Sequence, residues 1–352
     1  MILYIPKNVD VYNTHLINLI KAYSKRNIRV IVGYDTFGYG TIIPDYIHFH
    51  MVEGLLRTLN YDLGLFFERM EYFKQNGSRF LYTAHDLYPH NKIENIDYKS
   101  FFIRFLDFIP LMIHHGDKSI QLHQQLYPNV NGKNHLVCHH GDYSADFTNF
   151  CEGKDDARKI LEIPKNKKVI LVFGQLQFKN VSFAKGVMKK LQKYSKDYFF
   201  IFAGVNPVTK YHGINELYYH LNNDYLNRIR INSMSIHKRF SNYEMFLLFK
   251  AADAIFLTHN NGLTSGIIPL SASLQKPFIY PNIGVFEEQA LDTKSISYKC
   301  EDIQSAVDAI EDLLREDCSE FDNAKWLRQN SWDVHVGRIL ESPLFKTNEK
   351  LI

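Results

Sequence analysis

The sequence predicts an α/β protein made of two doubly wound parallel sheets. Three observations carry this expectation. Short apolar runs alternate with segments of helical periodicity along nearly the whole chain, the pattern of βαβ units. The 352 residues exceed one ordinary core and suit two domains of roughly 150 residues each. A charged, turn-rich stretch at 152–168 separates two sets of such units, which places the domains at 1–148 and 149–328.

Ile2, Leu3, Tyr4 and Ile5 form an apolar start suited to a strand, and 7–13 is a polar loop. Residues 14–25 carry Leu16, Ile17, Leu19, Ile20 and Tyr23 at helical spacing. Strands follow at 28–32 and 47–49, a helix at 63–75, and a strand at 79–83 that runs into Ala84-His85-Asp86. A very aromatic helix spans 98–108. Strand 111–113, helix 118–126 and strand 135–138 complete the first set, which ends in His139-His140-Gly141-Asp142.

The second set opens with a short helix at 155–161, before Pro164. Strand 169–173, polar loop 174–180, helix 183–194, strand 198–203, helix 215–226, strand 228–231 and helix 243–251 follow. The chain then reaches its most informative stretch, 253–288. Here strand 254–257 leads through a polar loop to the corner Thr264-Ser265-Gly266, a helix at 267–274 and a strand at 278–280. Ser265 is placed to N-cap that helix. A helix N-terminus gathers unpaired N–H groups and the positive end of the dipole, so such a corner attracts anions. Gly266 lets a phosphate approach the backbone closely. On residues alone, an ordinary capped helix start explains the corner equally well. A helix at 303–315 closes the set. Ligands of such sheets bind beyond the carboxyl ends of the strands, which singles out loops 7–13, 84–91, 139–142, 174–180 and 260–266.

Composition narrows the function classes. Hydrophobic content of 45% and charged content of 22% describe a globular protein. A net charge of +3 is too small to argue for nucleic acid. Cys138, Cys151, Cys300 and Cys318 show neither close pairing nor metal-type spacing and read as reduced thiols of a cytoplasmic protein. No signal peptide or membrane span is expected. Eleven of the histidines precede residue 150, but no His/Cys/carboxylate spacing is diagnostic of zinc, so no metal is expected.

The Leu263-Thr264-Ser265-Gly266 corner, with its flanking strand and helix, resembles the donor-binding segment of GT-B glycosyltransferases, in particular the retaining family-four branch and relatives with a Leu-Thr-Ser-Gly corner. The resemblance covers most of the chain. Phe173-Gly174-Gln175-Leu176 with Lys179 resembles the opening of the second domain. Arg239-Phe240-Ser241-Asn242-Tyr243-Glu244-Met245 resembles the segment around the nucleobase. Thr83-Ala84-His85-Asp86 with Pro89-His90 resembles the sugar-facing loop. Asn330-Ser331-Trp332-Asp333 resembles the terminal helix, which in that family crosses back to the first domain and would occupy 329–352 here. Two positions where the family carries glutamates are Gly262 and Leu270, and the Arg that often accompanies the phosphate-binding Lys is absent.

The resemblance implies two Rossmann-like domains facing each other across a cleft, the first on the acceptor side and the second on the donor side. It implies transfer of a sugar, with retention, from a nucleotide sugar to a glycan or lipid-linked glycan, in polysaccharide biosynthesis. Donor-binding residues would be Lys179, Arg239, Phe240, Thr264, Ser265 and Gly266. His85 and Asp86 would be catalytic, and Asn13, His15, His90 and His140 would meet the acceptor. No cofactor is implied, because these enzymes usually lack a bound divalent ion.

Blander readings stand beside these. Lys179 is equally a solvated loop lysine, Phe240 reads more readily as core than as a base platform, and Asp86 as a loop cap. The helix at 98–108 reads as buried, the alternative being an interfacial face for peripheral membrane contact. The rival functions are a nucleotide-sugar epimerase on the same fold and a non-catalytic sugar-nucleotide-binding partner.

Overall fold

The structure, a computed structural model, describes residues 1–9, 13–88, 96–176, 180–205, 232–315 and 321–346. The chain divides into two compact units, Met1–Gly141 with Arg328–Ile352, and Asp142–Leu327. The first boundary falls at Gly141/Asp142, ahead of the 148/149 expected from the sequence.

Unit 1 begins β1 (Ile2–Ile5), α1 (Thr14–Lys25), β2 (Arg29–Val32), α2 (Asp35–Tyr39), β3 (Tyr46–Phe49), α3 (Val52–Thr58), α4 (Leu63–Gln75), β4 (Arg79–Thr83). It continues α5 (Tyr98–Asp107), β5 (Leu111–His114), α6 (Asp117–Leu126), β6 (Asn134–Val137). The helices start where side chains satisfy their first N–H groups. Asn13 caps α1 by accepting from Leu16, and Asp62 and Asp97 cap α4 and α5. The short α2 and α3 were not expected. The strands pair in parallel in the order β2-β1-β3-β4-β5-β6. Alternation along each strand sends Tyr4, Ile47, Phe49, Phe80, Tyr82 and Met112 to one face, and Leu3, Ile5, Tyr46, Leu81, Leu111 and Ile113 to the other. The apolar stripe of α5, with Phe101, Phe102, Phe105 and Leu106, is buried on the first face. This corrects the interfacial alternative: the stripe is already covered and leaves no apolar face to dock on a membrane.

Unit 2 runs α7 (Lys154–Ile160), β7 (Lys168–Gln175), α8 (Val181–Tyr194), β8 (Tyr198–Val205), β9 (Ser233–Ile236), α9 (Asn242–Ala251), β10 (Ala254–Phe256). Then come α10 (Ile267–Ser273), β11 (Phe278–Pro281), α11 (Phe286–Gln289), β12 (Ser295–Tyr298), α12 (Ile303–Arg315) and α13 (Ala324–Gln329). The expected helix at 215–226 and strand at 228–231 lie outside the described residues, and β9 was not expected. Asn180 caps α8, and Ser241 with Glu244 forms a reciprocal capping box on α9. The parallel order is β12-β11-β10-β7-β8-β9. Buried Asp253 leads into β10, pairing with Arg158 at 2.7 Å and with Lys154, and accepting from the Val169 N–H at 2.6 Å. Three donors thus compensate its desolvation.

The chain closes with α14 (Trp332–Leu340) and α15 (Pro343–Lys346). Ser331 caps α14 from Val334 at 3.2 Å. Trp332, Val336, Ile339 and Phe345 join the unit 1 core beside Leu16, Leu19 and Tyr23 of α1. Among the described residues, no helix is long and apolar enough to cross a membrane.

Both strand orders have a switch point, at which the chain leaves one central strand toward opposite sides of the sheet. In unit 1 it lies between β1 and β3, and in unit 2 between β7 and β10. The crevices beyond these strand ends are where such sheets take ligands.

Candidate functional site

The carboxyl edge of the unit 1 sheet is lined with imidazoles. His15 opens α1 after β1, His50 follows β3, His85 follows β4, His115 follows β5, and His140 lies just beyond β6. The rings pack into one cluster. His15 lies 4.6 Å from His140, 5.3 Å from His85 and 5.6 Å from His50, centroid to centroid. His85 stands 5.3 Å from both His50 and His115. His15 Nδ1 is 2.9 Å from His140 Nε2, and His50 Nδ1 is 3.0 Å from His85 Nε2. Backbone carbonyls orient the outer rings: His115 Nδ1 donates to Cys138, His140 Nδ1 to Gly141 and His335 Nδ1 to His139.

Burial sets the protonation of these rings. Removing an imidazolium from water disfavours its charge, and neighbouring rings disfavour it further. Desolvation lowers His48 to about 3 and His140 and His335 to about 4, and holds His15, His50, His85 and His115 well below the ordinary histidine value. Neutral imidazoles accept at one nitrogen and donate at the other, so this edge can bond to sugar hydroxyls in both senses.

Three residues expected from the sequence, His15, His85 and His140, therefore meet here. His50 and His115 were missed, although each follows a strand as His85 does. Asn13 spends its side-chain oxygen on the α1 cap. Asp86 is half-buried beside the cluster, and its backbone carbonyl accepts from His123. His90 lies outside the described residues.

The unit 2 corner is built differently. The loop after β10 is clamped from several sides: the Tyr298 hydroxyl donates to the Leu257 carbonyl at 2.7 Å, the Asn180 N–H to Thr258 at 2.8 Å and the Val285 N–H to Leu263 at 2.9 Å. Gly284, at φ +51°, makes the last contact possible, since a Cβ there would lie 2.3 Å from the Leu263 carbonyl oxygen. The expected N-cap is corrected. Gly266 holds the cap position of α10, and Ser265 is buried with its N–H donated to Gln289 Oε1 at 3.0 Å. The Ser265 hydroxyl accepts weakly from the Ile267 N–H at 3.3 Å. Because Gln289 must present its oxygen to Ser265, its Nε2 is the donor end, and that atom is buried without a partner among the described residues. Thr264 is half-buried and Gly266 exposed, and among the described residues a Cβ on Gly266 would meet only the Tyr143 hydroxyl, at 4.0 Å. The corner thus offers an open backbone position, and the Gln289 side chain bonded to Ser265 carries an unmatched buried donor, a pairing that suits an anion.

Arg239 is exposed, while Phe240 is buried against Phe173 at 5.7 Å. The base-platform reading of Phe240 yields to the core one, because packing takes its ring. Lys179 lies outside the described residues.

The fold matches solved structures over its whole length. Sucrose-phosphate synthase from Thermosynechococcus elongatus superposes with a TM-score of 0.71 at 12% identity, covering 100% of this chain and 99% of that one. HepE from Anabaena, in complex with UDP and glucose, gives 0.68 at 15% identity and covers 99% of each chain. The UDP-forming α,α-trehalose-phosphate synthase from Burkholderia xenovorans, in complex with glucose-6-phosphate, gives 0.67 at 10% identity, covering 97% of this chain and 99% of that one. No protein-family model and no curated protein sequence matches the chain. At these identities the likeness establishes the fold, the two-domain α/β architecture of GT-B glycosyltransferases.

Proposed function

We propose that the chain is a glycosyltransferase that moves a hexosyl group, with retention, from a nucleoside-diphosphate sugar to a glycan or lipid-linked glycan acceptor in polysaccharide biosynthesis. The observation that carries this reading is the corner at the unit 2 switch point. There an exposed Gly266 backbone sits on a loop clamped from several sides, and the Gln289 side chain, reaching Ser265 from α11, carries an amide nitrogen unmatched among the described residues. The whole-length likeness to HepE, whose structure holds UDP and glucose, supports a uridine nucleotide and a glucose-like sugar.

In this reading Thr264, Ser265 and Gly266 stabilise the diphosphate as it leaves. Preorganised donors achieve this without a divalent ion at the diphosphate, and Lys179 and Arg239 add positive charge. The unit 1 edge acts on the sugar and acceptor: His85, assisted by Asp86, on the reacting hydroxyl, and Asn13, His15, His90 and His140 on acceptor hydroxyls. The enzyme would work in the cytoplasm, and a lipid-linked acceptor would bring it transiently to the membrane surface.

A thermal-shift screen of nucleotide sugars identifies the donor, since a ligand of the native state raises its stability. Turnover then decides the class. Release of UDP only when acceptor is present supports transfer. Interconversion of the sugar without acceptor would indicate an epimerase, and binding without release a non-catalytic partner.

A further inference from the structure

We propose that the carboxyl edge of the unit 1 sheet binds one late first-row transition-metal ion, zinc fitting best, on His15, His50 and His85. One ring nitrogen from each of these residues lies within 4.8 Å of the other two. Tetrahedral zinc, at Zn–N distances of about 2.0–2.1 Å, holds its ligand nitrogens roughly 3.4 Å apart. Small ring rotations therefore close the set. An all-imidazole set selects zinc, nickel or copper over magnesium or calcium, which require oxygen ligands.

The hydrogen-bond inventory points the same way. The Gly141 carbonyl can only accept, so Nδ1 of neutral His140 carries the hydrogen. His140 Nε2 is then a bare lone pair, and His15 Nδ1, 2.9 Å away, must donate to it. This leaves His15 Nε2 as a second bare lone pair, buried and without a partner among the described residues. His50 is 4% exposed, and among the described residues its Nε2 is unpartnered; the His50 Nδ1–His85 Nε2 bond lets only one of these two rings present a lone pair, so an ion held by all three rings takes the place of that bond. Buried polar atoms are rarely left unmatched in folded proteins, and an ion at the centre of the three rings matches these. The His15–His140–Gly141 relay is also the kind of outer hydrogen bonding that fixes the tautomer of a ligating imidazole. His48 is excluded as a ligand, because the Tyr23 and Thr83 hydroxyls occupy both its nitrogens at 3.2 and 2.8 Å. His15 and His85 are half-buried while His50 is buried, so an ion has a path in and its fourth position takes water.

This inference stands on unit 1 alone. With the ion bound, His85 holds the metal and an acceptor hydroxyl meets the open position. Without it, His85 keeps the direct role proposed above.

The test uses untagged full-length protein, because a polyhistidine tag adds competing imidazoles. Protein stripped with chelator is reloaded with Zn²⁺ for elemental analysis, or with Co²⁺ for its visible spectrum. The expected result is about one ion per chain and an intense tetrahedral cobalt band. His15→Gln and His50→Gln should each weaken binding about tenfold or more, while Cys151→Ser, at an exposed thiol, leaves it unchanged. The half-buried His15→Gln guards against misfolding of the buried variant, and circular dichroism checks both. Folded protein that takes up no Zn²⁺ at millimolar excess would overturn the proposal, as would full loading retained in both histidine variants. The readout is metal content, so its failure leaves the glycosyltransferase reading standing.

Discussion

The two units share an architecture and differ in what they place at the carboxyl edge. Each is a six-stranded parallel sheet with one switch point, between the second and third strands in unit 1 and at the centre in unit 2. Unit 1 fills that edge with buried and half-buried imidazoles held neutral by desolvation. Unit 2 fills it with a clamped loop, an exposed glycine, hydroxyls and one unmatched amide. We propose the first edge for hydroxyls and a late transition-metal ion, and the second for an anion. The fold sets where chemistry happens, and the residues ending each strand set which chemistry it is.

The largest effect should come from unit 1. His85→Ala should lower turnover per folded molecule about 10²- to 10⁴-fold, the range for loss of a proton-transferring group, with UDP affinity nearly unchanged. Steady-state kinetics beside calorimetry checks this, because a contact made only in the transition state appears in the rate. Full activity would remove His85 from the mechanism and erase the division between the edges.

Gly284→Ala probes the other edge. Its Cβ would lie 2.3 Å from the Leu263 oxygen and 2.6 Å from the Gly262 oxygen, at a positive φ. We expect a loss of about 2–3 kcal/mol in stability and clearly weaker UDP binding, read by denaturant melts and calorimetry. Unchanged affinity would mean that the clamped loop does not shape the anion site.

Acid sharpens the comparison through a second group of histidines. At the end of β5, buried His114 bonds to Ser119 at 2.8 Å and His135 at 3.0 Å and packs against His123. Desolvation lowers His114 to about 2 and also lowers His123, which Asp86 partly offsets. Both rings are neutral in the folded state and take up protons on unfolding below about 6.5. Their contribution is complete above that pH and falls by about 1.4 kcal/mol per pH unit per ring as acid is added, toward the folded values. Hydrogen exchange at pH 5 should therefore show unit 1 opening before unit 2. The reverse order would place the acid-labile groups elsewhere.

Much of the fold was legible because its signals are local. The buried strands read as short apolar runs, and α1, α4, β1 and β4 fall where periodicity and capping residues put them. The five-residue α2 and seven-residue α3 are too short to show a period. The site was less legible because it is assembled from distant residues. Ser265 looked like a cap, but the cap position falls to Gly266, and Gln289, 24 positions later, holds Ser265 by its N–H. His50 and His85, 35 residues apart, follow neighbouring strands and meet only once β3 and β4 pair. One histidine after each of several successive strands was the signal available. It gains meaning only when parallel order aligns the strand ends.

The measurement closest to the central claim is calorimetric titration of UDP into chelator-treated wild-type protein and into Gly266→Val. Gly266 has an ordinary helical φ of −67° and, among the described residues, open space about its Cβ, so the variant should fold. A branched side chain would block phosphate from the backbone. The account predicts that the wild-type protein binds UDP with the same affinity before and after chelation, and that the variant binds about tenfold or more weakly, a difference of about 1.4 kcal/mol. Equal affinity in the folded variant, or loss of wild-type binding on chelation, would contradict it.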